Sequence, residues 1–110
     1  MSESWLVLLY YHYVSIDNLE EYKLAHKLFC ERKYLKGRII LSSEGINGTI
    51  SGLSKNCYDY MNFLKEDHRF KNIEFKIDTC DGHLFPKLSI KIRNNLININ
   101  RDDLDPTLET

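Results

Sequence analysis

The chain has 110 residues, with 15 Lys and Arg against 16 Asp and Glu, for a formal net charge of -1. That length holds one small domain with a single core, and the charge balance excludes a strongly basic nucleic-acid module. The longest apolar run, Trp5–Tyr11, is far shorter than the ~20 residues of a membrane-crossing helix, and the opening Met-Ser-Glu-Ser lacks the basic region of a secretory signal.

Trp5–Val14 is apolar, aromatic and uncharged, which predicts a buried central strand. Asp17 offers an N-cap oxygen and Glu20 follows three residues on, as in a capping box. Leu19, Tyr22, Ala25, His26 and Phe29 then recur at helical spacing, so a helix is expected from Asn18 to about Lys33. Gly37 ends that segment. Arg38–Ser42 and Asn47–Ser51 are expected strands, joined tightly through Ser43-Glu44-Gly45-Ile46, where Gly45 can take a positive φ. Ser54 is placed to cap a second helix, about Lys55–Glu66, with Tyr58, Met61 and Leu64 on one face. Asn72–Cys80 alternates Ile73, Phe75 and Ile77 with Glu74, Lys76 and Asp78, a strand with one wet face. Leu88, Ile90 and Ile92 alternate in a last strand just after Pro86.

The order βαββαβ plus one strand points to an α+β, ferredoxin-like (acylphosphatase-like) sandwich. Its simplest form is an antiparallel sheet with both helices on one face and the other face open. Residues 1–100 would form this domain. Residues 101–110 set Arg101 against Asp102, Asp103, Asp105 and Glu109 and contain Pro106, which predicts an acidic linker. Cys30, Cys57 and Cys80 are odd in number and lack paired spacing, as expected of reduced thiols in a cytosolic protein.

Two stretches stand out chemically. Gly37–Gly52 carries four glycines within two strands, consistent either with a glycine-adjusted hairpin or with a loop whose amides and Asn47 side chain meet a phosphate or base. It lacks the Lys-Ser/Thr ending of a nucleotide-triphosphate loop. His83-Leu84-Phe85-Pro86-Lys87-Leu88, followed by Lys91 and Arg93, sets aromatic beside basic residues; it suits either RNA contact or a turn into an edge strand with wet lysines. Cys80 and His83 have a ligand-like gap, but no second pair matches it, so no metal is expected. His26, Cys30 and Cys57 fit packed core positions. No nucleophile signature occurs, and the residues name no cofactor either way.

Four stretches together resemble the N-terminal domain of the rhodanese-related tRNA uridine 5-hydroxylases. They are Tyr10-Tyr11-His12-Tyr13-Val14; Gly37–Gly52 with its Glu44-Gly45-Ile46-Asn47-Gly48-Thr49 centre; His68-Arg69-Phe70 with Phe75-Lys76; and Phe85-Pro86-Lys87-Leu88 with Arg93. The resemblance implies an acylphosphatase-like domain that precedes a rhodanese domain bearing an active-site cysteine. It implies oxygen-dependent hydroxylation of the tRNA wobble uridine by the two-domain protein. None of the three cysteines here aligns with that nucleophile, so this domain is not expected to be catalytic alone. It would bind tRNA or dock the rhodanese domain in cis. RNA-contacting roles fall on Arg38, Glu44, Asn47, Lys76, Lys87 and Arg93, and backbone-shaping roles on Gly45, Gly48 and Gly52. A structural bridge between Arg93 and Glu44 is the alternative for that pair. Two other functions compete: a purely structural module for the rhodanese domain, and a stand-alone acylphosphatase. The latter needs a glycine-rich loop with arginine after the first strand, where this chain has Val14-Ser15-Ile16-Asp17. The family pattern also has a charged Lys-Glu pair where Asn94-Asn95 stand here, and lysine is common at His12.

Overall fold

The computed structural model describes residues 4–94 and residue 96. The linker expected over 101–110 lies outside them. The elements are β1 (Trp5–Tyr13), α1 (Leu19–Arg32), β2 (Lys36–Ser42), β3 (Gly45–Leu53), α2 (Ser54–Lys65), a 3-10 turn (His68–Phe70), β4 (Phe75–Cys80) and β5 (Leu88–Ile92). The five strands form one sheet in the order β4-β1-β3-β2-β5. The first four are antiparallel to their neighbours, the ferredoxin-like arrangement. The extra strand departs from the all-antiparallel expectation: β5 pairs parallel to β2. Residues 81–87 carry the chain from one edge of the sheet to the other, so β5 runs opposite to β4.

Strand alternation gives the sheet two faces. Leu6, Leu8 and Tyr10 of β1, Ile39 and Leu41 of β2, Ile46 and Ile50 of β3 and Ile90 of β5 are buried beneath the helices. From α1 come Tyr22, His26 and Cys30; from α2 come Cys57, Tyr60, Met61 and Leu64. Phe29 of α1 stacks on Phe63 of α2 at 4.2 Å between ring centroids and locks the helix pair. Within this apolar layer Tyr60 Oη lies 2.5 Å from Tyr10 Oη and 2.7 Å from His26 Nε2. Burial lowers the His26 imidazole from its ordinary 6.5 to about 3 and raises both tyrosines well above 10.0. His26 Nδ1 and Tyr22 Oη are buried without a partner among the described residues.

Local details differ from expectation where two signals competed. The N-cap of α1 is Asn18 rather than Asp17, and no side chain caps it. Ser54 is the first residue of α2; its N–H donates to the Ser4 carbonyl at 2.9 Å instead of its hydroxyl capping the helix. β4 begins only at Phe75, because Ile73 is drawn into the core beside the 3-10 turn, where its N–H donates to the Phe70 carbonyl. Ile77 is 41% exposed, so β4 is an edge strand wet on both faces. β1 is central, as expected, yet from Leu9 onward it is buried on the helix face only.

Candidate nucleic-acid interface

The face away from the helices is built from the other half of each alternation. Its rows follow from strand register: Lys76–Leu9–Thr49–Arg38–Ser89 in the middle, and Tyr11–Asn47–Ile40–Lys91 above it. Below the middle row, Asp78–Val7–Ser51–Lys36 follow. That lower end is roofed by the crossover. His83 meets Trp5 edge-to-face at 4.7 Å, its Nδ1 lies 3.2 Å from Ser51 Oγ, and the Leu84 N–H donates to the same hydroxyl at 3.3 Å. Val7 and Ser51 are consequently buried although they lie on the face opposite the helices.

The upper part has no such cover. Leu9 is 39% exposed, Tyr11 60% and Tyr13 54%, a concentration of apolar surface on a central strand. A concavity of about 670 Å³ opens beside the start of β4, lined in part by Leu9, Tyr11, Asn47, Thr49 and Lys76. Four basic side chains on this face, Lys36, Arg38, Lys76 and Lys91, stand against two acidic ones, Asp78 in the lower row and Glu74, which lines the concavity with Lys76. The near-neutral total of the chain therefore conceals a cationic face.

Of the residues singled out in the sequence, Arg38, Asn47 and Lys76 share this face. Lys87 and Arg93 lie just beyond opposite ends of β5 and are apart from one another. The Lys87 carbonyl accepts from the Gly37 N–H, and the Arg93 N–H donates to the Leu41 carbonyl; both side chains are exposed. Glu44 lies in the two-residue turn between β2 and β3. Its carbonyl accepts from the Val14 N–H at 2.9 Å, its N–H donates to Ser42 Oγ at 3.0 Å, and Oε1 accepts from the Leu96 N–H at 3.3 Å. It ties three segments together. Among the described residues the ion pairs are Lys33–Asp59 and Asp67–Arg69, so no Arg93–Glu44 bridge forms.

The glycines of this stretch act in two ways. Gly45 has φ +148°, and a Cβ there would strike the His12 carbonyl oxygen on β1. Gly48 lies within β3, outside the turn, with no positive φ; a Cβ would enter the Tyr10 ring. Gly52 likewise leaves room for a Leu35 methyl. Gly48 and Gly52 thus provide space rather than an unusual backbone.

In the segment after β1 two backbone amides are already engaged. The Val14 and Ile16 amides already donate to the carbonyls of Glu44 and Ser43, at 2.9 and 3.1 Å, so they cannot cradle a phosphate as an acylphosphatase loop does. Cys30 and Cys57 are buried on the helices, their thiols pushed up to about 12 and about 11. Among the described residues no three His, Cys, Asp or Glu side chains are grouped to hold a metal ion, and no helix is long and apolar enough to cross a membrane. Arg69, from the third family-like stretch, is structural: it pairs with Asp67 at 2.7 Å and donates to Asn18 Oδ1 at 3.2 Å, joining the 3-10 turn to the start of α1.

Sequence reasoning missed Tyr11 and Tyr13. The signal was available in the alternation, which sets Leu9, Tyr11 and Tyr13 opposite Leu8 and Tyr10. The unbroken apolar run concealed it by suggesting burial on both faces.

The UPF0176 acylphosphatase like domain matches residues 5–96. A tRNA uridine(34) hydroxylase of Bacillus pumilus is 47% identical over 107 residues, which cover 96% of this chain and 33% of that protein. One from Bacillus velezensis is 45% identical over 111 residues, covering 100% of this chain and 34% of the relative. The chain thus spans about a third of the length of these curated relatives. In fold it is similar to BlrB, a BLUF protein in its dark state, with a TM-score of 0.70 and 18% identity, covering 99% of this chain and 84% of that one.

Proposed function

Because the chain belongs to the UPF0176 acylphosphatase-like domain family and is related to the N-terminal part of tRNA uridine(34) hydroxylases, we propose that it serves as a tRNA-binding domain. In this reading it presents the tRNA to a rhodanese domain in the same protein, where oxygen-dependent hydroxylation of the wobble uridine takes place. The observation that carries it is the cationic open face, with Arg38 and Lys76 in one row across the sheet. A polyanion meets such a surface by releasing condensed counterions, each phosphate contact adding about 0.7–0.9 to the slope of log affinity against log salt.

Filter binding of bacterial tRNA over a salt series tests this. The Arg38→Ala/Lys76→Ala chain is expected to bind more weakly, with a slope flatter by about 1.4–1.8. An unaltered slope moves these residues from the RNA site to the scaffold. The structural-module reading has its own support, since Glu44 and Arg69 are spent on internal contacts. Absence of tRNA binding at low salt would favour it.

A further inference from the structure

We infer that the uncovered upper part of the sheet face takes unpaired RNA nucleotides, with Tyr11 and Tyr13 stacking on bases and Asn47 meeting a base edge; this rests on the tRNA-binding reading above.

Two large rings stand 60% and 54% exposed on the end of β1 that runs past its β4 ladder and stays paired with β3. Solvent-facing positions of a half-covered sheet are ordinarily polar, and aromatic area left wet on a rigid strand calls for a partner. The rings meet edge-to-face at 6.1 Å and 77° instead of stacking, so each keeps at least one flat side that the other does not cover. Asn47 is the direct cross-strand neighbour of Tyr11 and half-buried. A base lying on the Tyr11 ring would have an amide donor and acceptor beside its edge, about 5 Å across the strands.

The charges select the occupant. Lys76 flanks β1 on one side, where Glu74 also lines the concavity; Arg38 and Lys91 lie beyond β3 on the other, so the cations outnumber the carboxylate around the rings. Phosphates on either side of a stacked base would meet cations. A second copy docking face to face would instead oppose the same cations to one another. A duplex does not fit either, because paired bases keep their flat sides covered by their neighbours, whereas aromatic side chains capture bases that are splayed out.

The test is fluorescence anisotropy of the full chain with a labelled short oligouridine and with an RNA duplex of equal length, beside filter binding of bacterial tRNA. The wild-type chain is expected to prefer the single strand. The Tyr11→Ala/Tyr13→Ala chain should bind oligouridine on the order of tenfold or more weakly, with duplex binding unchanged. The Tyr11→Phe/Tyr13→Phe chain, which keeps the rings, should retain the preference, and both variants should melt close to wild type because the tyrosines are exposed. If wild type binds tRNA but the alanine variant loses nothing on oligouridine, this inference falls and the tRNA-binding reading stands. If wild type binds none of the three RNAs, both fall. Loss of a wild-type dimer on removing the tyrosines, seen by sedimentation, would make the face a self-association surface and overturn the inference.

Discussion

A single methyl group separates two kinds of glycine in this chain. Gly45 and Gly82 have φ of +148° and +156°, but a Cβ at Gly45 would strike the His12 carbonyl, while Gly82 has nothing within 4 Å. Gly45→Ala is therefore expected to cost at least about 2 kcal/mol, strain and collision together, and Gly82→Ala only the strain, about 1 kcal/mol. Paired thermal melts check the contrast; equal shifts would refute it. Gly45 was legible in the sequence because it follows a two-residue turn. Gly48 was not, because its purpose depends on the Tyr10 ring across the strand, and no local pattern reveals that. His26 supplies a second test. Its folded pKa, about 3, lies below the ordinary 6.5, so the unfolded chain binds a proton that the folded chain refuses. Its contribution is fully present above about 6.5 and is lost as pH falls toward 3, roughly 1 kcal/mol per pH unit across the window. His83, lowered by partial burial and by Lys36, acts in the same direction. Urea melts between pH 4 and 7 should show a flatter acid limb for His26→Gln than for wild type. Equal slopes would mean that His26 does not govern acid unfolding.

At the level of elements, the helices bury their thiols and the sheet edge does not. Cys30 and Cys57 are buried on α1 and α2, whereas Cys80 ends edge strand β4 and is only half-buried, its thiol donating to the Gly82 carbonyl at 3.3 Å. Thiolate is the reactive form, and burial suppresses it at the first two. A maleimide should label one site on the native chain and three after unfolding, with the native adduct mapping to Cys80. Rapid native labelling of a helix cysteine would contradict the packing. The helices and strands were largely legible because 3.6- and 2-residue periods are local. Their ends were less so: Asp17 and Asn18 both suit a cap, and neither side chain caps. Ile73 continues the alternation of β4, but its burial below the 3-10 turn removes it from the ladder.

For the whole molecule, the ferredoxin-like core could be read from element order, yet the fifth strand's place could not. Leu88, Ile90 and Ile92 announce a strand with one apolar side; nothing within them says whether they extend the β4 edge or the β2 edge. The contact that decides is Ile39 beside Ile90, some fifty residues away in sequence (about half the chain). The candidate site divides the same way. Arg38, Asn47 and Lys76 were found as residue types in suggestive stretches, but their common face came only from the register of four strands. A chain ending at Asp81 loses the strand that covers β2. It is expected to lack a cooperative melt and to elute as oligomers, because β2 then presents an unpaired edge. A sharp monomeric transition would show that β5 is dispensable.

The crossover of residues 81–87 also orders events in time. Once β4 has emerged, β1 through β4 can all pair with one another, but β5, which covers the β2 edge, is the last to appear. Until residue 92 has left the ribosome, the nascent domain holds a helix over an incomplete sheet. Its commitment to the native state therefore comes at the end of its own translation, and a protease presented to stalled chains should cut freely at stops before β5 and poorly once β5 is outside.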